Sequence, residues 1–334
     1  MNDFAYGRAR GEARCTVGFF LVDSFSMMAF ISALEPLRIA NRLSGEDLYD
    51  WCVVSEDGSP VMPTNGITAV PATYSTADAP DFPVLLVAGP FDPLPYHNPA
   101  LYRWLNRLAR RNAILGGIDT GSQILARAAL LKGTRCTIHW ENMQGFVREF
   151  PDLEASHEIY EYDNRRLTCA GGTASMDMML YLIEQQQGLE LAASVSDVLI
   201  HPNIRHGDHP QRMSVEARTG VRHPGLLECI ELMEANLEQP LTPAELSSMI
   251  NISKRQLERL FRRYLNTTPA RYYLALRLAE ARRLLEQSSM PIIDVAIACG
   301  FNSAGHFSYR YRSFFGMSPR TARTRATSAV KTAC

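Results

Sequence analysis

Through its first two hundred residues the chain alternates short runs that are apolar at almost every position with longer stretches whose apolar residues recur every three or four positions. The runs TVGFFLV (16–22), DWCVVSED (50–57), PVLLVAG (83–89), AILGGID (113–119) and RLTCAGG (166–172) predict strands. VLLVA, apolar without a break, suits a strand covered on both faces. Helical spacing fills the intervals at 27–43, 100–112, 122–131 and 141–150, and one long stretch covers 175–200. This alternation predicts an α/β domain with a doubly wound parallel sheet over residues 14–204.

The periodicity stops at 205–224, RHGDHPQRMSVEARTGVRHP, where charge, Gly and Pro collect, and a linker is expected there. Residues 225–325 are helical in pattern throughout, which predicts a second, all-α domain. Residues 1–13 and 326–334 read as disordered tails.

The second domain contains an internal repeat at a spacing of 50. Its copies are ELSSMINISKRQLERLFRRYLNTTPARY and VAIACGFNSAGHFSYRYRSFFGMSPRTA, so that Leu257 matches Phe307, Phe261 matches Tyr311 and Pro269 matches Pro319. Each copy reads as helix, tight turn, helix. Asn251 and Gly300 fall at the turn, where a left-handed backbone is needed and both residue types tolerate it. Ser253 and Ser303 then stand at the N-cap of each second helix. In the first of these, Leu257, Leu260 and Phe261 share one side, and the other carries Lys254, Arg255, Gln256, Arg259, Arg262 and Arg263. In the second, Phe307 and Tyr311 share one side, and the candidate DNA contacts are Asn302, Ser303, His306, Arg310 and Arg312. Such helices can bury one face and offer the other to base edges and phosphates.

Charge sharpens the division. The net charge is only −1, yet residues 251–334 hold 15 Lys and Arg against 4 Asp and Glu, while residues 1–250 hold 19 against 31. A basic third on an acidic body is the electrostatic footprint of a domain that meets a polyanion.

Residues ~225–325 resemble the DNA-binding domain of the AraC/XylS transcription regulators, which is built from two helix-turn-helix units joined by a long helix. IACGFNSAGHFSYRYRSFFGMSPRTAR fits that family's signature nearly throughout. Asn266 stands where glycine is usual and also accepts a left-handed turn. Ala304 and Gly305 leave the second recognition helix few long side chains, so direct readout is expected to lean on Arg255, Gln256, Arg259 and His306.

The strand at 113–119 runs into DTGSQIL, a sharp strand-to-helix elbow. In order, the VAGP turn after residue 86, GGIDTGSQILARAALLKG, CTIHW and AGGTASMDMMLYLIE resemble the class I glutamine-amidotransferase-like superfamily, in its PfpI-type branch, over roughly residues 14–195. The resemblance implies a flavodoxin-like sheet. It also implies a cysteine at the elbow, with an acid from the first helix region and a histidine after a later strand. Here the corresponding residues are Asp119, Glu35 and His139.

An aspartate has no acyl-transfer chemistry of its own, so no catalytic residue is expected and the elbow is expected to serve binding; no metal or cofactor is expected either. The resemblance to regulators that join these two domains implies a small nitrogenous effector, since those whose ligands are known respond to metabolites including arginine and quaternary amines such as glycine betaine and carnitine. Asp119 and Glu35 would suit a cationic head group, His139 would line the same site, and Phe25 and Trp140 could supply cation–π faces. Asp119 as a simple helix cap, Trp140 as core packing, and a hydrolase or amidase using Asp119, Glu35 and His139 are the competing readings.

Seven scattered cysteines without a CxxC argue against a disulfide framework or zinc site and for a reducing cytoplasm. The arginine-bearing N-terminus has no continuous apolar run behind it, so neither a signal peptide nor a membrane span is expected. The expected partners are promoter DNA, RNA polymerase and a small amine or amino-acid-like effector, with a homodimer left open.

Overall fold

The structure is a computed structural model that describes residues 14–91, 96–287 and 290–332; the first expected tail, 1–13, lies outside them. The chain forms two compact units that part between Gln211 and Arg212.

In the first unit the strands are β1 (Cys15–Leu21), β2 (Tyr49–Ser55), β3 (Tyr74–Ser75), β4 (Val84–Ala88), β5 (Ile114–Ile118), β6 (Arg135–Thr137), β7 (Glu154–Ser156), β8 (Tyr160–Asp163) and β9 (Arg166–Cys169). Seven of them make one sheet in the order β3-β2-β1-β4-β5-β9-β8, parallel except for β8 against β9. β6 and β7 form a separate parallel pair. The strand order reverses between β1 and β4, and in such sheets the crevice at the carboxyl ends of the strands is where ligands bind.

Six helices accompany these strands: α1 (Met27–Ser44), α2 (Pro99–Arg110), α3 (Gly121–Arg127), α4 (Trp140–Glu149), α5 (Ala174–Gln187) and α6 (Leu189–Val198). One core gathers Phe19, Phe30, Leu37, Met178 and Leu182 from α1, α5 and one sheet face. The other gathers Phe20, Trp104, Leu105, Ile124 and Phe146 from α2, α3, α4 and the opposite face. VLLVA is accordingly buried at all five positions. On α2, Leu101, Trp104, Leu105 and Leu108 are buried, each worth about 1.5–3 kcal/mol relative to exposure. The stretch 175–200 is two helices rather than one, because Gly188 takes φ +95° and ends the ladder of α5.

The expected linker is also corrected. Its first part is bound to the α/β unit. Buried Asp177 accepts hydrogen bonds from the Arg205 backbone N–H (2.8 Å) and guanidinium Nε (2.9 Å), and pairs with His201 Nε2 at 2.8 Å. The Ile159 N–H donates to the Gly207 carbonyl, and Gln211 Nε2 donates to Thr137 Oγ1 and to the Ile138 and Glu158 carbonyls. A carboxylate buried as Asp177 is costly unless partners surround it, so this strap belongs to the domain.

Its second part forms α7 (Val215–Thr219), whose Val215 enters the core of the second unit together with Val221. α8 (Pro224–Ala235), α9 (Pro243–Met249), α10 (Lys254–Leu265), α11 (Pro269–Gln287), α12 (Ile292–Ala298), α13 (Ala304–Phe315) and α14 (Pro319–Thr332) follow. α14 continues to Thr332, past residue 325 where the sequence pattern placed the domain end. No helix among the described residues is long and apolar enough to cross a membrane.

Candidate functional site

Two places gather polar chemistry. The first is the repeated pair in the second unit. Asn251 and Gly300 take φ +53° and +73°, and Asn266 and Gly316, closing α10 and α13, take φ +48° and +73°. Ser253 caps α10 by accepting from the Gln256 N–H, and Gln256 Oε1 accepts from the Ser253 N–H in return. This capping box commits the carbonyl end of Gln256, leaving its NH₂ for a partner. Ser303 caps α13 by accepting from the His306 N–H.

α10 buries Leu257, Leu260 and Phe261, and α13 buries Phe307 and Tyr311. Lys254, Arg255, Gln256, Arg259, Arg262 and Arg263 are all exposed, as are Asn302, Ser303, His306, Arg310 and Arg312. Among the described residues, none of Lys254, Arg255, Arg259 and Arg262 has an ion-pair partner. Two departures appear on α13. Arg310 occupies the position of buried Leu260 in the repeat, and its charge adds to the desolvation that lowers the Arg277 pKa. Tyr309, 68% exposed, stands where Arg259 stands in the first copy. The spacing of 50 carries this correspondence in the sequence itself.

The second place is the elbow between β5 and α3. Asp119 takes φ +59°, its N–H donates to the Cys169 carbonyl at 3.1 Å, and it is held by close backbone approach on several sides. A Cβ on Gly89 would lie 2.5 Å from Thr120 Oγ1, one on Gly117 would lie 2.5 Å from the Ser122 nitrogen, and one on Gly171 would strike the Asp119 side chain at 2.8 Å. Thr120 Oγ1 donates to the Pro90 carbonyl at 2.6 Å. Pro90 itself, at the turn after β4, has no N–H to offer.

Burial raises the Asp119 carboxyl to about 7, and the charge of Glu141 adds to the rise, against one hydrogen bond from the Thr120 N–H. Glu141 sits in the first turn of α4, whose cap is His139. His139 Nδ1 accepts from the Glu141 N–H at 3.4 Å and lies 3.6 Å from Glu141 Oε2. The rings of His139 and Trp140 are 5.7 Å apart, tilted by 36°. His139, Trp140 and Glu141 are half-buried and still reach solvent.

The charge that acts on Asp119 comes from Glu141, which follows His139 and Trp140 in the chain, and two expectations need correction. Glu35 forms a bidentate ion pair with Arg38 on α1. It is eight residues beyond the first residue of the helix, about 12 Å along the axis. The acid whose charge raises the Asp119 pKa is Glu141, in the first turn of α4 where a helix favours negative charge. Phe25 has its backbone beside Pro90, but its ring is fully buried, edge-on to Phe30 at 5.8 Å. It is core.

Comparison with known proteins matches both units. The DJ-1/PfpI family model covers residues 16–185, and a helix-turn-helix domain model covers residues 246–325. The HTH-type transcriptional regulator CdhR of Pseudomonas aeruginosa is 45% identical over 305 residues, 91% of this chain and 90% of that one. GbdR, an HTH-type transcriptional regulator of the same species, is 44% identical over 308 residues, 92% and 84% of the two chains. Among solved structures, an AraC family transcriptional regulator from Pseudomonas putida matches with a TM-score of 0.51 and 31% identity, covering 55% of this chain and 98% of that one. With both domains matched in their order and the likeness running along nine-tenths of the length, the chain belongs to the AraC-type helix-turn-helix transcription regulators that carry an N-terminal DJ-1/PfpI domain.

Proposed function

We propose that the protein is a cytoplasmic activator whose α/β unit senses a small cationic or zwitterionic nitrogen compound at the elbow. What supports this is the raised pKa of Asp119 at the end of β5, to which burial contributes most and the charge of Glu141 adds, with Glu141 next in the chain to the half-buried His139 and Trp140. Two carboxylates near one another repel unless a proton or a cation is shared between them. An ammonium or guanidinium group can replace that proton, and an aromatic face favours the same charge.

The site does not suit acyl transfer. The nucleophile position holds Asp119, and Pro90 contributes no N–H for an oxyanion. Promoter DNA and RNA polymerase follow as partners of an activator, and a homodimer would suit paired operator sites.

A thermal-shift series with arginine, glycine betaine, carnitine and polyamines at pH 8 tests the reading. An effector at 100 times its Kd should stabilise the protein by about 2.7 kcal/mol. Titration calorimetry should then find affinity rising with pH up to about 7, as Asp119 gives up its proton, and Asp119→Asn should bind at least tenfold more weakly. Equal affinities for the two proteins would place the effector elsewhere, and amide hydrolysis abolished by Asp119→Asn would restore the enzyme reading.

A further inference from the structure

The second unit contains a set of contacts that neither recognition face uses. Tyr273 and Arg277 lie one turn apart on α11, the helix that joins the two helix-turn-helix copies. Residues so spaced lie on the same helix face. The Tyr273 hydroxyl donates to the Asn236 carbonyl at 2.5 Å and accepts from the Leu241 N–H at 3.3 Å, holding both ends of the loop that leads into α9. Arg277 does the same for the second copy. Its Nε donates to the Cys299 carbonyl at 2.7 Å, its Nη2 to the Gly300 carbonyl at 2.6 Å, and its guanidinium lies 4.3 Å from the Phe301 ring centroid.

The two loops held in this way also touch. A Cβ on Gly300 would lie 2.5 Å from Pro240 Cγ and 2.7 Å from the Leu237 carbonyl oxygen. Gly300 is thus needed twice, for its φ of +73° and for this approach.

Arg277 is half-buried, and desolvation lowers its pKa. A guanidinium is taken out of water where its planar fork satisfies fixed acceptors, and here those are two carbonyls at the end of α12, where a helix favours positive charge. Neither carbonyl belongs to a recognition helix. What the contact fixes is the turn of the second copy relative to α11, while Tyr273 fixes the first copy to the same helix.

We propose that Tyr273, Arg277 and Gly300 form a clamp that sets the separation and twist of the two recognition helices, and that this clamp makes DNA binding sensitive to the spacing between the two contacted segments. Inserting one base pair moves the second segment by about 3.4 Å and rotates it by about 34°. A rigid pair of helices cannot follow such a shift without losing one set of contacts. A loosened pair can follow it at the cost of weaker binding to the preferred duplex.

The test uses the full-length protein and a duplex enriched by it from a randomised pool, footprinted to locate two protected segments. Versions with one base pair inserted or removed between those segments give a spacing ratio. The wild type should favour the parent duplex at least tenfold. Arg277→Met should bind the parent about tenfold more weakly and show a ratio below threefold. Arg277→Lys, able to reach one carbonyl, should fall between, and Tyr273→Phe should shift the ratio in the same direction by less.

Thermal melts accompany each variant. If Arg277→Met is unfolded at the assay temperature, the same criterion applies to Arg277→Lys and Tyr273→Phe. An unchanged ratio with uniformly weaker binding would reduce Arg277 to a support of the fold and overturn the clamp. A wild type indifferent to spacing would also overturn it. The clamp rests on DNA contact by both copies; failure of that premise would appear separately, as a single protected segment or none.

Discussion

The recognition face on α10 and the elbow after β5 both present charge, but they hold it in opposite ways. On α10 the cations are exposed and, among the described residues, free of ion pairs, so their charge costs the folded protein little and is available to phosphates and base edges. At the elbow a half-buried acid is desolvated and feels the charge of another, and the folded protein bears a penalty that a proton or a bound cation relieves. The first arrangement is visible as affinity without any change in stability. The second should be visible as stability before any ligand is known.

The largest effect expected is on the DNA side. Arg259→Ala should weaken binding to the selected duplex by about 1–3 kcal/mol if the side chain reads a guanine, while changing stability by no more than about 0.5 kcal/mol, as for an exposed site. A matching loss of stability would erase the contrast.

The elbow supplies the converse. The Asp119 carboxyl, raised to about 7 from an ordinary value of 3.8, holds a proton that the unfolded chain releases earlier. Its penalty is therefore absent below about pH 4, grows through the interval and is complete above pH 7. Asn tolerates the same positive φ, so Asp119→Asn should stabilise the ligand-free protein at pH 8 by about 1–2 kcal/mol and leave it unchanged near pH 4. Chemical denaturation at the two pH values reads this directly; equal stabilities at pH 8 would mean that the acid is solvated and unstrained.

Smaller effects separate the two recognition helices. Tyr309→Ala should weaken binding by about 1 kcal/mol, because an exposed aromatic in the place of Arg259 offers a hydroxyl and a ring but no charge. Arg262→Ala should weaken all sequences alike and reduce the salt-dependence slope by about 0.9. A sequence-dependent effect at Arg262 would move it from the phosphates to the bases.

Legibility in the sequence followed how local the cause was. The left-handed positions at Asn251, Gly300 and Asn266 and the caps at Ser253 and Ser303 depend on neighbours within a few residues, and the chain spells them out. The strands buried on both faces were equally plain. β7 and β8 were not: they are three and four residues long, and their sequences EAS and YEYD mix polar and apolar positions without a strong period. α7 hid in a charged, Gly-containing stretch because only packing against the second core identifies Val215 as buried.

The elbow was legible as a backbone and misread as a site. Which acid approaches Asp119 depends on where α1 and α4 lie over the sheet, and no spacing along the chain distinguishes Glu35 from Glu141. The second recognition helix shows the remaining limit. Tyr309 follows from the repeat once its copies are superposed, whereas the closeness of Arg310 to Arg277 follows only from the three-dimensional path of α11.

The glycines around Asp119 have a consequence for how this protein tolerates mutation. A side chain at Gly89, Gly117 or Gly171 would collide with backbone or with Asp119 itself, and one at Gly121 would collide with the Val87 carbonyl. None of these clashes depends on a reaction being catalysed. In a saturation scan scored only on protein abundance, this turn should therefore be among the least permissive parts of the chain, giving the profile usually taken as the mark of an enzyme. Asp119 in the same scan should accept asparagine freely, and that contrast between the frame and the residue it displays would separate an inherited shape from a working catalyst without any substrate in hand.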